Sequence, residues 1–201
     1  MASEGDKSRE QTRQALTAST FVEIVDTLVG DFDVIEVLTL LAARCVELLD
    51  ASAAGILLAD GSGLLRVIGA STEQIELLEL FQIQNDDGPC LECFRTGATV
   101  MNGDLRGPSP WPEFAIESVR AGFPSVCAVP LRLNDVILGC LNLFLSVPAL
   151  LSPQDVALAQ ALADVASIAI VQDEVTRKAA IREGNFGVLS TVGLRLSRQR
   201  A

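Results

Sequence analysis

Two apolar runs, SVCAVPLRL at 125–133 and VILGCLNLFL at 136–145, are separated only by Asn134-Asp135. Two polar residues suffice to reverse a chain and are far too few to cross from one parallel strand to another, so the runs lie side by side as an antiparallel hairpin. Pro130 cannot donate to a ladder and therefore belongs at a strand edge or a bulge. Any fold for this chain is built around that pair.

A second hairpin is read in AAGILLAD (53–60) and LLRVIGAS (64–71), joined by Gly61-Ser62-Gly63. Helical spacing surrounds both. Phe21, Ile24, Val25 and Leu28 recur on one period that stops at Gly30, and Val34, Val37, Leu38, Leu41, Cys45, Leu48 and Leu49 repeat it. STEQIELLELFQIQ offers Ser71 or Thr72 as N-cap and Ile75, Leu77, Leu78 and Phe81 as its apolar period. ATVMNGD (98–104) predicts a short strand, and Pro108, Pro110 and Pro112 lead into a helix from Glu113 to Ala121. The stretch 151–175, with Ser152 as cap and Pro153 at the first helical position, predicts a long terminal helix. Helices around two hairpins give an α+β class: a central antiparallel sheet flanked by helices, with the first and last helices packed together.

The domain is expected to span 18–174. Residues 1–17 are polar and predict a disordered lead, and 175–201 form a basic tail with Arg177, Lys178, Arg182, Arg195, Arg198 and Arg200 against Glu183. Elsewhere acids dominate, for a net charge of -11, which argues against a broad nucleic-acid or anionic-membrane surface. No signal core opens the chain, and its apolar runs are broken short of the roughly 20 residues that span a bilayer. A cytoplasmic protein without membrane contact is expected.

The sequence has no histidine and no tyrosine. That removes Ser-His-Asp and Cys-His nucleophile systems, HExxH zinc sites and histidine-ligated haem. No phosphate-cradling or dinucleotide glycine motif is present, and no catalysis is expected.

NDDGPCLECFRTG (85–97) holds Cys90 and Cys93. Zinc needs four ligands, and a single Cys-x-x-Cys without histidine supplies two, so no metal site is expected within one chain. A redox pair at a helix N-terminus is a second reading, opposed by Asp86 and Asp87, whose charges disfavour a thiolate. In the third, Asp86 or Asp87 caps a helix opened by Gly88-Pro89, and Cys90 and Cys93 face inward with Phe94.

The hairpin SAAGILLADGSGLLRVIGAS, the run VPLRLNDVILGCLNLF and the helix LSPQDVALAQALADVASIAI together resemble a GAF domain over Ala18 to Glu174. LLELFQIQNDDGPCLECFRTG is similar to the GAF domains of actinobacterial regulators that carry a C-terminal ANTAR domain, a helical RNA binder of transcription antitermination. The resemblance implies a small-molecule-sensing, homodimerising regulator, paired through its first and last helices. It also implies a ligand cavity between one sheet face and the crossing helices, walled by Phe81, Cys90, Cys93, Trp111 and Phe114 with Val129 and Leu141 as floor. No cofactor is named by it: the Asn-Lys…Phe…Asp-Glu pattern of cyclic-nucleotide binders is missing, and the histidine that partners bilins is absent. Residues 185–201 do not continue a helical pattern, since Gly187 and Gly193 interrupt it. Permitted codons for them, read one frame over, yield LRRALNSRVAIEQAKG, which resembles the start of an ANTAR domain. The tail is thus expected to be a frameshifted remnant that has lost RNA binding. A ligand-free dimerisation scaffold and a Cys90/Cys93 redox switch are the competing readings.

Overall fold

The computed structural model describes residues 4–29 and 32–197. Helices α1 (Glu4–Leu28) and α2 (Val34–Leu48) lead into the hairpin β1 (Ala53–Ala59) and β2 (Leu65–Ala70). Helices α3 (Glu73–Asn85) and α4 (Pro89–Thr96), strand β3 (Val100–Asn102) and helix α5 (Pro112–Arg120) cross over to the hairpin β4 (Ser125–Leu133) and β5 (Val136–Leu145), and α6 (Pro153–Ser197) closes the chain. One five-stranded sheet results, in the order β2-β1-β5-β4-β3, with every neighbour antiparallel.

The two hairpins meet through β1 and β5, Ala53 opposite Phe144 and Leu58 opposite Gly139. Their backbones come so close at Gly139 that a Cβ there would collide with the Leu57 carbonyl, which is why the β5 run needs a residue without a side chain. Asn134 supplies the left-handed turn residue of the β4–β5 hairpin, with φ 53°. Pro130 pairs with Cys140 on one side, while β3 reaches only to Ala128 on the other. Its missing N–H therefore falls beyond the end of β3, and its carbonyl accepts from Gln160 Nε2 at 3.1 Å.

Strand alternation divides the core. Cys127, Val129, Leu131, Leu141 and Leu143 pack with α2, Ile24 of α1, and Leu162 and Ala166 of α6. Val126, Ala128, Cys140 and Phe144 face the opposite way, towards α3, α4 and α5. Helices α1 and α6 run parallel against the first face. Arg13 pairs with Asp155 near their starts, and Gln172 Nε2 donates to the Leu28 carbonyl farther along, at 3.2 Å.

Three expectations change. The polar lead is helical from Glu4, because a helix already anchored by Ile24 extends through residues of adequate propensity. Helix α6 runs on to Ser197, so Gly187 and Gly193, at about 1 kcal/mol each, do not end it. Within it, Pro153–Thr176 is long and apolar enough by composition to cross a membrane, with a mean hydropathy of 1.4, contrary to the expectation from interrupted runs. Its Ala159, Leu162, Ala163, Ala166 and Ala169 are instead buried in this core.

Candidate functional site

Helix α3 presents Ile75, Leu78, Glu79 and Gln82 inward, a stripe at i, i+3, i+4 and i+7 whose last two members are polar. Glu79 is fully buried against the sheet, and a Cβ at residue 55 of β1 would collide with its Oε1, so Gly55 makes the room that the carboxyl occupies. From β5, Asn142 Nδ2 donates to both carboxyl oxygens at 2.8 Å. Gln82 Nε2 donates to Oε2 as well. Burial pushes the Glu79 carboxyl up to about 8, outweighing these hydrogen bonds, which favour the charged form. The Asn142 Oδ1 is buried with no partner.

The network continues outward. Gln82 Oε1 accepts from Cys90 N at 3.1 Å and caps α4, whose own N-cap, Gly88, has no side chain to do so. A Cβ at Gly88 would collide with Gln82. Neither aspartate caps α4. Asp86 ends α3 with φ 53° and pairs with Arg95, and Asp87 Oδ2 accepts from Glu113 N at 2.8 Å and Phe114 N at 3.0 Å, capping α5 from outside it. Glu92 of α4 accepts from Trp111 Nε1 at 2.9 Å. Hydrogen bonds thus connect β5 to α3, α3 to α4, and the α3–α4 segment to α5.

The expected site residues separate into three places. Cys90 and Cys93 are buried with Leu57, Ala128 and Cys140. Trp111 and Phe114 are buried with Ile75, Phe123 and Phe144, the last two rings tilted 57° at 5.6 Å. Phe81 is half-buried and lines a cavity of about 280 Å³ between α3 and α5, with Leu78 and Glu117. Val129 and Leu141 cannot be the floor of this site. Both point to the α2–α6 face, one residue out of phase with Ala128, Cys140 and Asn142. Glu79, Phe114, Cys90 and Cys93 are all buried between the sheet and α3, α4 and α5.

Burial raises Cys90, and hydrogen bonds to the Cys90 and Cys93 thiols together with burial raise Cys140. Cys140 Sγ also donates to the Cys90 carbonyl at 3.3 Å. Cys45 and Cys127 are pushed up to about 12 by burial. These are conditions for an inert thiol. Among the described residues no group of three or more Cys, Asp or Glu is arranged to hold a metal.

A larger cavity, of about 660 Å³, lies on the outer side of α5. Leu105, Pro108, Pro112, Ala115, Ile116 and Val119 give it apolar walls, and Arg106 and Ser109 stand among them. Arg106 is held by Asp104 through two hydrogen bonds of 2.7 Å.

Sequence reasoning missed Glu79, Gln82 and Asn142. The one visible signal is Asn142, a lone amide in an apolar strand at a position facing α3. Glu79 and Gln82 look like the solvent side of a helix until the stripe's phase is known.

A comparison with curated proteins finds no match. Solved structures do match. The GAF domain of a phosphoenolpyruvate-protein phosphotransferase from Coxiella burnetii is similar at 15% identity and a TM-score of 0.62, over 81% of this chain and 96% of that one. Free methionine-R-sulfoxide reductase from Neisseria meningitidis, solved with its substrate, is similar at 17% and 0.62, over 81% and 92%. Residues 122 to 287 of a methyl-accepting chemotaxis protein are similar at 23% and 0.58, over 76% and 98%. At such identities the likeness concerns the fold. The GAF domain family model matches residues 33–171, more than half of the chain, and the antiparallel sheet between two helical layers agrees with it. The chain belongs to the GAF family of small-molecule-sensing regulatory domains.

Proposed function

We propose that this chain is a cytoplasmic, non-catalytic ligand sensor that works as a homodimer and comes from the regulators of transcription antitermination. The carrying observation is the cavity of about 660 Å³ against α5, ligand-sized and mostly apolar, beside a helix whose N-terminus is tied to α3 and α4 by Asp87 and Glu92. A small apolar molecule settling there acts on α5 and, through those two carboxylates, on the buried network and the sheet.

Homodimerisation is supported by Val22 and Val25 on α1, Val29 just past its end, and Ile168 and Val175 on α6, large apolar side chains left exposed at helical spacing. The antitermination setting is supported by the resemblance of 77–97 to GAF–ANTAR regulators and by the shifted-frame peptide. The side chains of 177–197 and the whole of 198–201 lie outside the described residues. The nucleotide sequence decides the frameshift: a gene unable to encode that peptide in the shifted frame removes it.

A thermal-shift screen of the full chain against a metabolite library tests the sensor. A ligand of the native state at 100 times its dissociation constant adds about 2.7 kcal/mol. A hit is expected that Ile116→Trp, a change at an exposed wall of the cavity, abolishes. Hits insensitive to that change put the ligand elsewhere. No hits at all favour the second reading, a ligand-free dimerisation scaffold. A redox switch at Cys90 and Cys93 has the least support, since both are shut away from solvent and burial opposes a thiolate at Cys90.

A further inference from the structure

Glu79 is the one Asp, Glu, Lys or Arg among the described residues that is buried, and it lies at the start of the hydrogen-bond series that ends at α5. We propose that Glu79 is a proton switch: gain or loss of a single proton at its carboxyl resets the hold of β5 and α3 on the N-terminus of α4, and through α4 on α5.

Gly55 provides space for the carboxyl alone, and the cavities beside α5 are lined by other residues. Among the described residues no cation pairs with the carboxyl. From α4 the titratable groups facing it are the Cys90 and Cys93 thiols, and from β5 the Cys140 thiol beside the neutral Asn142. Strand β1 brings Gly55, and the charge on β2, Arg66, is exposed and paired with Asp60. On α3 itself Glu73 and Glu76 are exposed. The remaining charges nearby are engaged elsewhere: Glu92 by Trp111, Arg95 by Asp86, Glu117 by Arg120.

The two states differ in their hydrogen bonds. With Glu79 ionised, Asn142 Nδ2 and Gln82 Nε2 donate to the carboxylate, and Asn142 Oδ1 has no donor. A protonated carboxyl carries an O–H of its own. Turning the Asn142 amide over brings Oδ1 round to accept from it. Protonation thus removes a buried charge and satisfies an orphaned acceptor together. Gln82 is shared between the carboxyl and the first turn of α4, so a change at Glu79 is transmitted to α4 without any movement of the sheet. Burial sets the exchange near neutrality, at about 8. The switch stands apart from the α5 cavity and holds whether or not that cavity takes a ligand.

Trp111, the single tryptophan, reports on it, because its N–H is bound to Glu92 of α4. In the full chain the Trp111 emission is expected to titrate between about pH 6 and about pH 9 with one midpoint near 8, and Glu79→Gln, which keeps the volume and cannot ionise, is expected to abolish the transition. A transition that persists in Glu79→Gln belongs to the thiols and overturns the proposal, as does a flat wild-type profile. Should Glu79→Gln fail to fold, infrared spectroscopy of the wild type decides. The carbonyl band of a protonated carboxylic acid is expected at about pH 6 and lost by about pH 9, and its absence at the lower pH overturns the switch.

Discussion

Glu79 makes stability depend on pH in a direction opposite to that of a salt-bridged acid. An exposed glutamate releases its proton near 4.5, whereas burial holds this one to about 8. Between those values the folded chain keeps a proton that the unfolded chain has lost, so stability falls as pH rises, by at most about 1.4 kcal/mol per pH unit, and levels off above the upper value. Urea titrations across that window are expected to trace the decline in the wild type and a flat line in Glu79→Gln. The thiols give a second expectation at this scale. With Cys90, Cys93 and Cys140 wholly buried, and burial holding Cys90 and Cys140 protonated, Ellman's reagent is expected to find no reactive thiol in the native protein and five after denaturation; rapid native labelling of Cys90 would revive the redox reading. What could be read in advance follows the same physics. The inward pair Cys90 and Cys93 follows from local pattern, but Val129 and Leu141, expected as a cavity floor, lie on the other face. A strand's two faces are equally apolar here, and only the helices packed on each tell them apart.

Among the elements, α5 depends most on residues outside itself. It is nine residues long, begins at Pro112 without a cap of its own, and takes its cap from Asp87, 26 residues earlier. Asp87→Ala is expected to cost about 1 kcal/mol and to lower the melting temperature while Trp111 shifts towards a wetter environment; Asp86→Asn, which keeps a residue suited to φ 53° at an exposed end of α3, is expected to change little. The hairpins were legible because turn chemistry and apolar runs are local signals. The cap was not, because Asp87 stands just before a helix of its own, and sequence favours the near helix over the distant one. The same bias shortened α1 and α6: polar residues and glycines argue against helix locally, yet an anchored helix extends through them at modest cost.

At the scale of the molecule, α1 and α6 lie parallel on one face and keep an apolar stripe outward. Val25→Glu with Ile168→Glu, at residues 52% and 51% exposed, is expected to halve the mass measured by sedimentation equilibrium and to leave the circular dichroism unchanged; an unaltered mass would place the dimer contact elsewhere or show a monomer. The sheet's topology was legible only in part. Each hairpin could be paired internally, but nothing local dictates that β1 joins β5, a contact spanning most of the domain.

That pairing also orders events at the ribosome. Because β5 occupies the middle of the sheet, a chain released only as far as residue 135 has β1 and β4 without the strand that separates them, and neither hairpin face can be sealed. The apolar first half must wait, exposed, for a strand made near the end. A polypeptide stalled before that point is a substrate for chaperones, and one released there is a substrate for proteases.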